Sequence, residues 1–215
     1  MRRPCTLLAF AGTLALAACG TDSTAPLAPE RLPAVFAQAP GATTVVTEED
    51  VARQPENTPP TRSWVLYTRN AGNAAFVPGP GTPPLGVGSF QMQTPTGSDK
   101  VFLFNYDHLG TRLADVDGLG YATYRFAGGT TFQVPSINLE IDYNGPNVAG
   151  GFATLVFEPV YNTGQGAVQP GTWQSWDAYA GGSAVWWSSK PINGVCAFSC
   201  FVPWSTIVAN NPDAV

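Results

Sequence analysis

Between residues 136 and 143 the sequence SINLEIDY alternates without a break: Ile137, Leu139, Ile141 and Tyr143 are apolar, and Ser136, Asn138, Glu140 and Asp142 are polar. Successive side chains of a strand point to opposite faces, so one face of this segment belongs to a core and the other to water. Upstream, VFLFNY (101–106) is apolar on both faces, which predicts a central strand with packing on each side. Downstream, Asn144-Gly145-Pro146 supplies turn chemistry, and GFATLVFEP (151–159) follows as the next strand. The same reading predicts strands in SWVLYTR (63–69), GSFQMQT (88–94), LGYATYRF (119–126), GTWQSWDAY (171–179) and AVWWSS (184–189). Eight candidate strands with turn signals between them, and no helical period, predict an all-β antiparallel sandwich or barrel. Proline and glycine keep residues 77–88, VPGPGTPPLGVG, out of any sheet interior. One helix is expected, over residues 204–210, with Pro203 at its first turn and Pro212 beyond its end.

Composition sharpens this picture in two respects. With 215 residues and 44% apolar content the chain can bury one ordinary core, and 23 glycines and 20 prolines agree with a turn-rich β protein. The net charge is −5, two units more negative once Arg2 and Arg3 are lost, and only two lysines occur. Phosphate backbones are held by clustered Lys and Arg, so nucleic acid is excluded as a partner.

The N-terminus carries the most specific motif. Arg2 and Arg3 precede an apolar run at residues 7–18, which ends in Leu16-Ala17-Ala18-Cys19. The run is shorter than the roughly 20 residues of a membrane span. It resembles a bacterial lipoprotein signal peptide with its lipobox. That resemblance implies cleavage before Cys19, lipidation of the Cys19 thiol, and a membrane anchor of two or three acyl chains at about 0.8 kcal/mol per buried CH₂. Gly20 follows in place of an aspartate, so outer-membrane delivery is expected. Residues 19–62, rich in Thr, Ala and Pro, then read as a tether reaching roughly 35 Å as a coil and up to about 120 Å fully drawn out. Short helical turns are conceivable at residues 32–39 and 47–54. The folded domain is expected over 63–215.

Once Cys5 leaves with the signal and Cys19 carries lipid, Cys196 and Cys200 remain, in CAFSC. An exported pair is expected as a disulfide. A zinc site is the alternative; it needs four ligands, and the chain has a single histidine, His108.

The segments TPPLGVGSF, NYDHLGTRLADVDGLGYATYR, INLEIDYNG, GFATLVFEPVYN, WQSWDA, WWSS and PWSTIVANNPDA resemble a group of secreted bacterial domains of uncharacterised function with a jelly-roll, concanavalin-like fold. The resemblance covers residues 62–215. It implies further sequence after NNPDA supplying closing strands, so that with Val215 as the last residue one sheet edge lacks a partner.

Alternation places Tyr121, Thr123 and Arg125 on one face, Asn138, Glu140 and Asp142 on another, and Trp173, Ser175, Asp177 and Tyr179 on a third. If these faces coincide, aromatic rings stand beside carboxylates, amides and an arginine, as a sugar-binding cleft requires. In the plainer reading Arg125 pairs across strands with Glu140 or Asp142 and the tryptophans fill the core. Binding predicts that Trp173, Trp176 or Trp186 is exposed beside a polar groove; a structural role predicts all three buried. LEIDYNG also resembles the Glu-x-Asp-x-x-Glu strand of concanavalin-like glycosidases: Glu140 and Asp142 match the first two positions, Gly145 stands at the third, and Glu158 is the substitute acid/base to consider. Asp115-Val116-Asp117-Gly118 is a fragment of a calcium-loop pattern and reads as a capped turn, with structural calcium a further expectation. His108 has no nominated nucleophile, and no nucleophile elbow, phosphate loop or dinucleotide fingerprint is present. The resulting expectation is a lipid-anchored envelope protein displaying a binding or adhesive module with carbohydrate as leading ligand. A structural or protein-interaction domain comes second, and a glycan hydrolase third.

Overall fold

The structure, a computed structural model, describes residues 44–128 and 133–215. The signal peptide, Cys19, the first part of the tether and the turn at 32–39 lie outside the described residues.

Eleven strands and one α-helix make up the described residues: β1 Val51–Arg53, β2 Trp64–Arg69, β3 Asn73–Pro78, β4 Gly88–Gln93, β5 Lys100–Asn105, β6 Gly120–Tyr124, β7 Ile137–Asp142, β8 Phe152–Phe157, β9 Trp173–Asp177, β10 Val185–Ser188, β11 Val202–Pro203 and α1 Trp204–Asn210. They form four small sheets, ordered β1-β2-β5, β11-β10-β8-β7, β3-β4 and β6-β9. Every pairing is antiparallel except β1 with β2. All eight expected strands are present, as is the helix. The body is mostly β, as expected, and is divided among several small sheets with one short C-terminal helix.

Two expectations are corrected. The described β domain already takes in residues 44–62, which were expected as tether. TEEDVARQ forms a 3-10 turn at Glu48–Asp50, closed by the Asp50 carboxylate on the Thr47 N–H at 2.7 Å, and continues as β1 beside β2. The strand β5 stands at the end of its sheet, not in the centre. Its apolar character on both faces instead reflects a half-buried position along its whole length. There Phe102 stacks on Tyr67 at 5.8 Å and on Phe104 at 5.7 Å, and Phe104 lies 6.2 Å from Tyr106.

One hydrophobic core cluster is drawn from residues 113–215, with Ile141, Leu155, Phe157, Trp176, Trp186, Trp204 and Ile207 among its members, while Val46, Val65, Leu66 and Ala74 are buried outside it. A buried indole needs a partner for its N–H. Trp176 donates to Thr123 Oγ1 at 2.7 Å, and Trp186 to the Ala178 carbonyl at 2.9 Å. Helix α1 closes this core with Trp204 and Ile207, both buried. Asn211 then secures its C-terminal end, donating to the carbonyls of Ile207 and Asn193.

The turn from β7 to β8 depends on Gly151. At φ +88° its backbone passes so close to the side-chain oxygens of Asp142 and Asn144 that any Cβ would collide with both. The loop expected at 77–88 is a loop from Gly79 onward; its Pro80 carbonyl accepts the Trp173 indole N–H at 2.8 Å, docking the β3–β4 hairpin on β9.

Candidate functional site

Register decides which of the expected faces meet. In the β6–β9 pair Tyr121 lies opposite Trp176 and Tyr124 opposite Trp173. Directly paired residues share a face, so Tyr121 and Thr123 face the core with Trp176, whereas Trp173, Ser175 and Asp177 face away from it beside Tyr124. The Tyr121 and Trp173 faces therefore do not coincide. Tyr121 packs edge-on against Phe157 at 6.1 Å and donates its hydroxyl to the Pro135 carbonyl at 2.7 Å. Burial, and secondarily the negative charge of Glu158, holds that hydroxyl far above the usual tyrosine range. Trp176 and Trp186 are buried, and Trp173 is half-buried with its indole N–H engaged. Asp177 caps a turn: its Oδ1 accepts the N–H groups of Tyr179 and Ala180, and Tyr179 has left the strand and packs against the core. Arg125 is half-buried at a bridge to Pro170.

The face carrying Asn138, Glu140 and Asp142 meets a different set of aromatics. In the β10–β8–β7 sheet, Trp187 pairs with Val156 and Val156 with Asn138, giving one row across three strands. The next row is Ser189, Thr154 and Glu140: Ser189 N–H donates to the Thr154 carbonyl, and Thr154 N–H to Ser189 Oγ. The third row sets exposed Phe152 beside Asp142. Leu139, Leu155 and Phe157 point the other way, into the core, so these rows form the outer face.

Aromatic residues crowd its Trp187 side. The ring of Phe198 stands perpendicular to that of Trp187 at 4.8 Å, and Tyr161 lies 6.0 Å from Phe198 and 4.5 Å from Phe201. Phe198 is 52% exposed. It sits in the loop closed by the Cys196–Cys200 disulfide, whose Cα separation of 5.4 Å is that of an ordinary bridge. Beside these rings the Trp187 indole donates to Glu158 Oε2 at 2.9 Å. Strand neighbours lie about 4.8 Å apart, so the face offers an aromatic patch, a carboxylate, an amide and two hydroxyls within a few strand widths.

This arrangement departs from paired-carboxylate catalysis. Glu158 is extended at the end of β8, four residues from the Thr154 that faces Glu140. That offset is about 13 Å along the strand, whereas retaining hydrolysis needs carboxyls about 5–5.5 Å apart and inverting hydrolysis about 6.5–9.5 Å. Glu140 and Asp142 point out from one face and do not oppose each other across a cleft. Among the described residues no three His, Cys, Asp or Glu side chains gather as a metal site. Asp115 ends a 3-10 turn over Leu113–Asp115, and Asp117 is exposed beyond it.

The loop aromatics were not among the expected site residues. CAFSCF carries no period, and only the fold of the disulfide loop over β10 brings Phe198 and Phe201 to Trp187 and Tyr161. No known family profile, curated protein or solved structure matches the chain.

Proposed function

We propose that the chain is an exported protein, anchored through a lipidated Cys19 in the outer membrane, whose β-rich domain binds carbohydrate on the outer face of β7, β8 and β10. The observation that carries this reading is the register aligning Trp187, with its Phe198, Phe201 and Tyr161 cluster, with Asn138, and Glu140 one row further on the same face. Rings offer apolar platforms to the C–H faces of a sugar, and the amide, carboxylate and hydroxyl groups pair with its hydroxyls. The reading takes the four sheets as one concanavalin-like jelly roll, and the tether as what holds this face clear of the membrane. A structural role draws on the burial of Trp176 and Trp186, but the exposed rings lie elsewhere.

Full-length protein is applied to a panel of insoluble and immobilised polysaccharides, with calcium and then with chelator. Retention on at least one matrix is expected, falling tenfold or more in Phe198→Ala and Glu140→Gln. Retention equal to wild type in both variants would remove this face from consideration. No retention on any matrix by folded protein would favour the structural or protein-interaction reading. Incorporation of an alkyne-tagged fatty acid, lost in Cys19→Ser, tests the anchor.

A further inference from the structure

The outer face of β7, β8 and β10 carries its charge in a definite order. Along the strands its rows run from Asp142 with Phe152, through Glu140 with Thr154 and Ser189, to Asn138 with Val156 and Trp187. Glu158 continues the same side of β8 two residues beyond Val156, in extended backbone, and its Oε2 accepts the Trp187 indole N–H at 2.9 Å. Residues two apart on a strand are separated by about 6.6 Å. The row holding Trp187, with Phe198 packed against its ring, therefore stands between the Glu140 row on one side and Glu158 on the other.

Positive charge is scarce in this part of the chain. Residues 137–215 hold five acidic side chains, Glu140, Asp142, Glu158, Asp177 and Asp213, and one cation, Lys190. Lys190 Nζ lies 5.5 Å from the centre of the Tyr143 ring, next to Asp142 and so at the far end of the face from Glu158. Among the described residues no salt bridge engages Glu140 or Glu158.

We propose that this face selects a sugar polymer bearing free, protonated amino groups over neutral and acidic polysaccharides, with Glu140 and Glu158 as the residues that discriminate. The inference rests on the carbohydrate reading and narrows it. Rings accept the C–H face of a sugar whatever its charge. An ammonium group on that sugar donates a charge-assisted hydrogen bond to a carboxylate, and its attraction to a neighbouring ring face adds to this. A neutral sugar brings no charge to offset the carboxylates, and a uronate or sulfate sets like charge beside them. Carboxylate, rings and carboxylate span about 13 Å of strand, which calls for several linked sugars rather than one.

The test applies full-length protein to one β-linked glucosamine polymer immobilised in two forms, with its amines free and with them N-acetylated. Retention on the free-amine form is expected to exceed that on the acetylated form about tenfold, and the excess to vanish in about 1 M salt. Glu140→Gln and Glu158→Gln, each checked for an unchanged far-ultraviolet dichroism, should lower retention on the free-amine form more than on the acetylated form. Asp117→Asn removes the same charge from an exposed turn outside the face and should leave retention unchanged. The inference is overturned if the two forms retain the protein equally. It is also overturned if Asp117→Asn lowers retention as much as the two glutamate variants do, since net charge alone would then account for the binding. Retention on a neutral glucan but not on the free-amine polymer overturns the charge selection and leaves the carbohydrate reading standing. No retention on any matrix by folded protein removes both.

Discussion

The tryptophans at the centre of the β6–β11 region and the aromatic ladder of the β1–β5 region do opposite things. In that β6–β11 region Trp176, Trp186 and Trp204 are buried in one core cluster, with Trp186 packed between Phe157 and Trp204, and the first two have their indole N–H groups paired. In the β1–β5 region, Tyr67 on β2 and Phe102, Phe104 and Tyr106 along β5 and its end form a ladder of half-buried rings on one sheet. The difference shows that aromatic content does not measure core. A ring stabilises by the area it removes from water, and a ladder on one sheet removes less than a ring enclosed between sheet and helix.

The strongest break of this contrast is a pair of truncations. Trp186→Ala is expected to cost about 3–5 kcal/mol and Phe104→Ala about 1–2 kcal/mol in denaturant unfolding, because only the first leaves a large enclosed cavity. Equal losses would show that the ladder is as well packed as the core. Next, Thr123→Val keeps the shape of the core but leaves the Trp176 indole N–H without its acceptor, an expected loss of about 1–3 kcal/mol; a near-neutral result would mean that the bond is replaced locally. Replacing Cys196 and Cys200 by serine opens a five-residue loop, worth about 2 kcal/mol on the chain-entropy account. It should also alter the near-ultraviolet dichroism of Trp187 and the Phe198 cluster, whereas the Trp186 core keeps its signal.

The smallest expected effect is a difference in acid response. Asp99 is held below the usual carboxylate range chiefly by its hydrogen bond from the Thr96 side chain, with backbone donors at Ala71 and Thr96 adding to it. Asp50 and Asp107 are lowered too, by Thr47 and by Ser63 with Asn105. A carboxyl with a depressed folded value contributes stability above its unfolded value, about 3.9, and loses it as pH falls through the folded value. All three lie within residues 44–107. Amide exchange there is expected to accelerate below about pH 4, and Asp99→Asn to flatten that response. An acid response confined to the β6–β11 region would contradict the assignment.

The candidate site shows how far a single chain can be read. Alternation in INLEID and WQSWD correctly separated outward from inward side chains, since a period of two is a local property of the backbone. It could not pair the faces. Whether Asn138 meets Trp173 or Trp187 depends on which strands become neighbours and in what register, and those bonds join residues far apart in sequence. The two apolar faces of VFLFNY were legible for the same local reason, but their meaning was not, because an edge strand with a stacked ladder and a central strand share one composition.

Sequence alone determined the eight strands that alternation and turn residues predict, the bounds of the C-terminal helix, and the pairing of Cys196 with Cys200. Each rests on chemistry within a few residues. Tertiary structure decided that residues 51–53 join the sheet, that Trp176 and Trp186 are core, that Phe198 is brought to Trp187, and that β7 stands at the end of its sheet. These depend on contacts between distant segments, where burial and hydrogen bonding are settled by what lies alongside.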